Sequence, residues 1–117
     1  MGMIYLGQAS LTVNHATIDG NKTEYPNGHP LIVIYNNPTL TINDGAKLCN
    51  NNTTSTTARY GGIYVRGSNA VISGGKIYGN TSTYGGGINV SGQGDLTITG
   101  TALIEKNSAE YGTGKEM

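Results

Sequence analysis

Apolar residues along this chain come in short runs, and within each run they alternate with polar ones. Leu11-Thr-Val-Asn, Leu40-Thr-Ile-Asn, Ala70-Val-Ile-Ser and Leu96-Thr-Ile-Thr share one pattern, and their starts lie 29, 30 and 26 residues apart. A period of two puts Leu and Ile on one face of a strand and Thr and Asn on the other. An amphipathic helix would need apolar residues at three- and four-residue spacing over ten or more positions, and no run here is that long. Seven or eight residues after each start comes a second aliphatic residue, with Asn three positions further on: Ile18/Asn21, Leu48/Asn51, Ile77/Asn80 and Ile104/Asn107. Tyr follows that Asn by four at Tyr25, Tyr84 and Tyr111, and by nine at Tyr60, so the segment around 52–56 carries an insertion of five. A third aliphatic group then follows a glycine step, as in Gly61-Gly-Ile-Tyr-Val and Gly85-Gly-Gly-Ile-Asn-Val; Gly28-His-Pro-Leu-Ile-Val holds the equivalent place earlier.

Three short strands per period, repeated every 26–30 residues, have a natural solution in three dimensions. Each period makes one turn of a coil, and equivalent strands of successive coils pair in parallel at about 4.8 Å. The sequence therefore predicts an all-β right-handed parallel β-helix, with three strands per coil and about four coils. It fills residues 1–117 as a single segment, read as a fragment of a longer solenoid. The expected inward columns are Leu11/Leu40/Ala70/Leu96, Val13/Ile42/Ile72/Ile98, Ile18/Leu48/Ile77/Ile104 and Ile4/Leu31/Ile63/Ile88. One coil cannot bury its own apolar side, so only stacking makes a core. Asn21, Asn51, Asn80 and Asn107 are expected to form a ladder at one corner, since Asn accepts the left-handed conformation and stacked amides can bond one another. The glycine steps at 61–62 and 85–87 allow positive φ or close backbone approach at the next corner.

Composition agrees with strands joined by many turns. Gly supplies 19 of 117 residues, Trp and Phe are absent, 12% of residues are charged and the net charge is zero. That charge balance gives no electrostatic pull toward nucleic acid or an anionic membrane. The longest apolar stretch, Leu31–Tyr35, is far short of the roughly 20 residues of a membrane-spanning helix. The opening residues from Met1 to Leu6 lack the basic region and cleavage site of a signal peptide. Cys49 is the one cysteine, so no internal disulfide can form.

Two coils carry a resemblance. Ile77-Tyr-Gly-Asn80 with Gly85-Gly-Gly-Ile88, and Leu48-Cys-Asn-Asn51 with Gly61-Gly-Ile63, resemble the repeat of chlamydial polymorphic outer membrane proteins. They are still more similar to the glycine-rich β-helix repeats of large surface proteins of gut bacteria. The first coil departs from the pattern, with His29-Pro30 where Gly-Gly belongs. The resemblance implies a pectate-lyase-like fold, export to the bacterial surface and an adhesive or scaffolding role. It carries over no catalytic residue.

The polar residues point the same way. Asp19 and Glu105 share a repeat position three coils apart, about 14 Å at strand spacing, too far for an acid and base pair working at roughly 5–10 Å. His15 and His29 fall far apart in the repeat, which supports neither a metal site nor a nucleophilic triad. No catalytic residue, cofactor or metal is therefore expected, and the chain reads as a non-enzyme. The tyrosines are the candidates for ligand contact: Tyr60, Tyr84 and Tyr111 are expected along one edge with Tyr25, and Tyr64 on an outward face with Tyr5, Ile32 and Asn89, beside Tyr35 and Arg66. A Tyr ring offers a flat apolar face with a hydroxyl, suited to sugar or protein; the other reading is that the stacked rings stabilise the coil by covering a corner. Cys49 shares the outward register of Asp19, Tyr78 and Glu105, which makes it a surface thiol. The functional expectation is a non-catalytic extracellular structural or adhesive β-helix, whose uncapped ends stack on other copies into an oligomer or filament. Its ligand would be a host glycan or protein, with no nucleic acid and no membrane insertion. The alternative is a carbohydrate-binding or polysaccharide-lyase-related domain.

Overall fold

The computed structural model describes residues 4–21, 29–54 and 60–109. The chain is all β, and its sheets are wholly parallel. Strands β1 (Ile4–Leu6), β4 (Ile32–Tyr35), β7 (Ile63–Arg66) and β11 (Ile88–Ser91) form the first sheet. The second contains β2 (Leu11–Val13), β5 (Thr39–Ile42), β8 (Asn69–Ile72) and β12 (Asp95–Ile98). The third contains β3 (Thr17–Asp19), β6 (Lys47–Cys49), β9 (Lys76–Tyr78) and β13 (Leu103–Glu105). Two residues each of β10 (Thr81–Ser82) and β14 (Ser108–Ala109) pair after the third face. Strands succeed one another around the three faces, and each pairs only with its equivalents one period away. That connectivity is a parallel β-solenoid of about three turns, one fewer than the repeat count suggested. Each of the three main sheets has four rungs, but four rungs span only three intervals.

Alternation within the strands fills the interior. Leu40, Ile42, Leu48, Ile63, Ile72 and Ile77 are fully buried, in columns set by the registers Leu40↔Ala70, Ile42↔Ile72 and Leu48↔Ile77. Burial decays toward the outer rungs. Ile4, Leu11, Ile18, Leu96 and Ile104 are only partly buried, and Ile98 and Leu103 are exposed. Among the described residues an outer rung has a paired neighbour on one side only, so its apolar atoms have less cover.

One expected column is corrected. Ile4 pairs with Ile32, not Leu31, and Ile32 pairs with Ile63, which pairs with Ile88. The inward column is therefore Ile4/Ile32/Ile63/Ile88, and Val33, not Ile32, stands in the outward row with Tyr5, Tyr64 and Asn89. The shift arises at the corner. Leu31 takes the register position of Gly62, and its N–H is directed at the carbonyls of Gly61 and Gly62. It is nonetheless buried, so a buried leucine at a corner imitated a strand residue in the sequence.

The asparagine corner holds three members, not four. Asn51, Asn80 and Asn107 are buried. The Asn51 N–H donates to Asn80 Oδ1 at 3.1 Å, and the Asn80 N–H donates to Asn107 Oδ1 at 3.0 Å. Asn80 Nδ2 also donates to Asn107 Oδ1 and to the Leu48 carbonyl, while Asn107 Nδ2 donates to the Ile77 carbonyl. By the same rule the Asn21 N–H would donate to Asn51 Oδ1. It donates instead to Asp19 Oδ1 at 2.7 Å, Asn21 is exposed, and Asn51 Oδ1 is left buried without a partner. Gly20 lies against Asn51 in its place, so closely that a Cβ there would meet Asn51 Cα at 2.6 Å. The left-handed turn belongs to the residue before each ladder Asn, namely Asn50 (φ 57), Gly79 (φ 68) and Lys106 (φ 56). In the first coil it falls on Asn21 itself (φ 52), one position late, which turns that residue out of the stack.

Candidate binding face

The outer face of the first sheet gathers most of the described aromatic residues. One outward row reads Tyr5, Val33, Tyr64, Asn89, and the next reads Tyr35, Arg66, Ser91. Val33 is 5% exposed although its row faces away from the core. A small aliphatic side chain on an outer row is covered only if large neighbours fold over it, and Tyr5 and Tyr64 flank it at strand spacing. The tyrosines themselves are held. Tyr5 and Tyr35 meet edge to face with ring centroids 5.0 Å apart. Tyr60 and Tyr64 lie 4.6 Å apart, and the Tyr64 hydroxyl and Ser91 Oγ share a hydrogen bond at 3.0 Å. Such ring pairs add about 0.5–1.5 kcal/mol beyond burial.

The expected edge of stacked tyrosines is modified. Tyr60 is bridged to Gly85, not to Tyr84. Its ring lies over that glycine, whose Cβ, if present, would be 3.2 Å from Tyr60 Cδ1. The glycine step after Tyr60 has two residues where that after Tyr84 has three, so with Ile63 paired to Ile88 Tyr60 falls one register position later. Tyr60 thereby joins Tyr64 on the sheet face, while Tyr84 stands exposed one residue earlier. Tyr111 and Tyr25 lie outside the described residues. The glycine step serves close approach: Gly61, Gly62, Gly85, Gly86 and Gly87 are all buried, and a Cβ on Gly62 would run into the Gly87 carbonyl oxygen.

At the corner between the first and second sheets, the rung of β4 and β5 carries three residues, Asn36-Asn37-Pro38, where the next rung carries two, Gly67-Ser68. The extra residue is accommodated by two successive left-handed asparagines, Asn36 (φ 70) and Asn37 (φ 75). Residues held in that region cost of order 1–3 kcal/mol each, Asn less than most, and such strain collects at functional sites. The Asn37 N–H donates to Ser68 Oγ at 3.1 Å, and buried Ser68 donates in turn to the Arg66 carbonyl, which fixes the bend. Beside it lies a shallow groove of about 440 Å³, bounded by Tyr35, Asn36, Asn37, Arg66, Gly67 and Gly92. Tyr35 and Arg66 were readable as neighbours on this face. The groove was not, because it depends on a one-residue difference in corner length.

The other candidates lie apart. Asp19, Cys49, Tyr78 and Glu105 occupy one outward row of the third sheet, so Asp19 and Glu105 stand three rungs apart. Asp44 Oδ1 accepts a hydrogen bond from the Thr101 hydroxyl at 2.7 Å, an ordinary tie between corners. Among the described residues no cluster of three His, Cys, Asp or Glu side chains could hold a metal ion. Cys49 is corrected from surface thiol to buried thiol, although its row faces outward. That burial raises its pKa, against a hydrogen bond from Tyr78 that lowers it; nearby Asp19 adds to the rise. The bond to Cys49 raises the pKa of Tyr78. No family model, curated protein or solved structure matches this chain.

Proposed function

We propose that this chain is a structural and adhesive solenoid of an extracellular bacterial surface, with no catalytic role, and that the outer face of its first sheet is the contact surface. The observation that carries the reading is the aromatic cover on that face, where Val33 is buried outside the core between outward tyrosines. Surface aromatic rows on a rigid parallel ladder present area at low entropic cost, because the rings are already ordered. The experiment is adhesion of protein-coated beads to host-cell and glycan surfaces, comparing the native chain with a Tyr5→Ser/Tyr64→Ser variant. A Lys47→Ser/Lys76→Ser variant on the third sheet serves as control. Loss of adhesion in the tyrosine variant alone supports the reading, and equal adhesion by all three defeats it.

Association between copies belongs to the same proposal. On the last described rung Ile98 and Leu103 are exposed at β12 and β13. A second copy adding its β1, β2 and β3 there would continue the columns and the parallel pairing, a head-to-tail contact that can run into a fibre. Light scattering at rising concentration checks this: growth in mass is expected, and a constant monomer mass rules it out. The carbohydrate-binding alternative gains support from the groove beside Tyr35 and Arg66, whose chemistry is sugar-like in its demands.

A further inference from the structure

We propose that the groove between the first and second sheets binds an acidic sugar, with the Arg66 guanidinium taking its carboxylate and the Tyr35 ring its apolar face. This deepens the adhesive reading and rests on it. Four observations converge. Arg66 is exposed at the groove and, among the described residues, has no carboxylate partner. A guanidinium presents a planar fork of donors that matches a carboxylate with two parallel hydrogen bonds. Tyr35 stands next to Arg66 in the same outward row, one strand spacing away, and its ring is braced edge to face by Tyr5. A ring so held loses little freedom when a pyranose stacks on it.

The polar rim is preformed as well. The side-chain amides of Asn36 and Asn37 have no hydrogen-bond partner among the described residues, and both residues are exposed. Each amide can donate and accept, which suits sugar hydroxyls. Their backbone is pinned in its left-handed bend by Ser68. Gly67 and Gly92 form the floor and share the register position of Asn36, all three with positive φ. A Cβ at Gly67 would meet nothing within 4 Å, so the space above it is open to a ligand. The groove volume of about 440 Å³ falls within the range of small-molecule sites, roughly 300–1,000 Å³. An amino-acid carboxylate would use Arg66 but leave the flat ring and both amides idle. A neutral sugar would leave the guanidinium unpaired.

The sugar carboxylate has two common sources, a terminal sialic acid and a uronic acid within a chain. The test is amide-resolved NMR titration of the full chain with sialyllactose, a glucuronate-containing disaccharide and lactose. Either acidic sugar, or both, is expected to shift the amides of Asn36, Asn37, Gly67 and Gly92, and the one that binds tighter identifies the source. Arg66→Gln should weaken that binding at least tenfold. Arg66→Lys, which keeps the charge and loses the fork, should fall between. Tyr35→Leu should weaken acidic sugar and lactose alike. The proposal is overturned if lactose shifts these amides as strongly as the acidic sugars, if Arg66→Gln leaves affinity unchanged, or if no sugar moves them. Shifts confined to Tyr60, Tyr64 and their neighbours would also overturn it, while leaving the adhesive face intact. Loss of adhesion in a Tyr64→Ser variant, which keeps the Tyr5 brace of Tyr35 in place, is read independently.

Discussion

Replacing Asn80 by Ala tests the asparagine corner most directly. The side chain is fully buried and connects three coils. Its Oδ1 accepts the Asn51 N–H, and its Nδ2 donates to the Leu48 carbonyl and to Asn107 Oδ1. Alanine would orphan the Asn51 N–H in the interior, at about 1–3 kcal/mol for one unsatisfied buried donor. The amide would also leave a small void between coils, adding about 1 kcal/mol. The lost bond to Asn107 matters less, because the Asn80 backbone N–H still donates there. The sum is about 2–4 kcal/mol. Asn21→Ala is the matched control. It occupies the same repeat position, but it is exposed and its own backbone N–H makes the bond to Asp19, so the change should cost only about 1 kcal/mol, the penalty of alanine at its left-handed φ of 52. Urea unfolding followed by far-ultraviolet circular dichroism measures both. A cost below about 0.5 kcal/mol at Asn80, or equal costs at both positions, would refute the hydrogen-bond account of the corner.

Three further outcomes are expected. Gly62→Ala, driven against the Gly87 carbonyl, should cost about 3 kcal/mol or more or prevent folding, whereas Gly67→Ala, with open space and φ +61, should lose only about 1–2 kcal/mol; thermal unfolding separates them. Ile77→Ala at the centre of the stack should cost about 2–5 kcal/mol, against less than about 1 kcal/mol for the exposed Ile98→Ala, measured by urea titration. Cys49 and Tyr78 both have pKa values raised by folding, so the unfolded chain releases these protons first. Their contribution to stability is present below the ordinary thiol and phenol ranges and is lost as pH rises through the folded values. Stability should therefore fall on the alkaline side, less so in Cys49→Ser, and thiol-reactive dye should label the native protein far more slowly than the urea-unfolded one.

The strands were legible because alternation of two and a period near 28 are properties of side chains alone. Leu40, Ile42, Leu48 and Ile77 could be assigned inward from spacing, and the pairing registers put them there. What spacing cannot encode is corner length. Leu31 passed for a strand residue because Pro30 and Leu31 stand where Gly61 and Gly62 stand, so the register slipped by one and exchanged Ile32 with Val33. Asn21 kept the repeat spacing yet left the stack, because the competing Asp19 acceptor sits two residues away and no motif marks that choice. Tyr60 moved off the edge for a similar reason, a glycine step one residue shorter than the one after Tyr84. The groove beside Arg66 was invisible in the pattern, since it arises from one additional residue between two otherwise ordinary strands.

That additional residue bears on how such a molecule can change. The rails of strands fix the pitch, but the bends between them accept Asn36-Asn37-Pro38 in one storey and Gly67-Ser68 in the next without disturbing the pairing on either side. The polar side chains at the rim can therefore be exchanged, added or removed storey by storey, by single-residue insertions. Whole storeys can be duplicated or removed as units, each changing the height of the stack by about 4.8 Å while the interior keeps its composition.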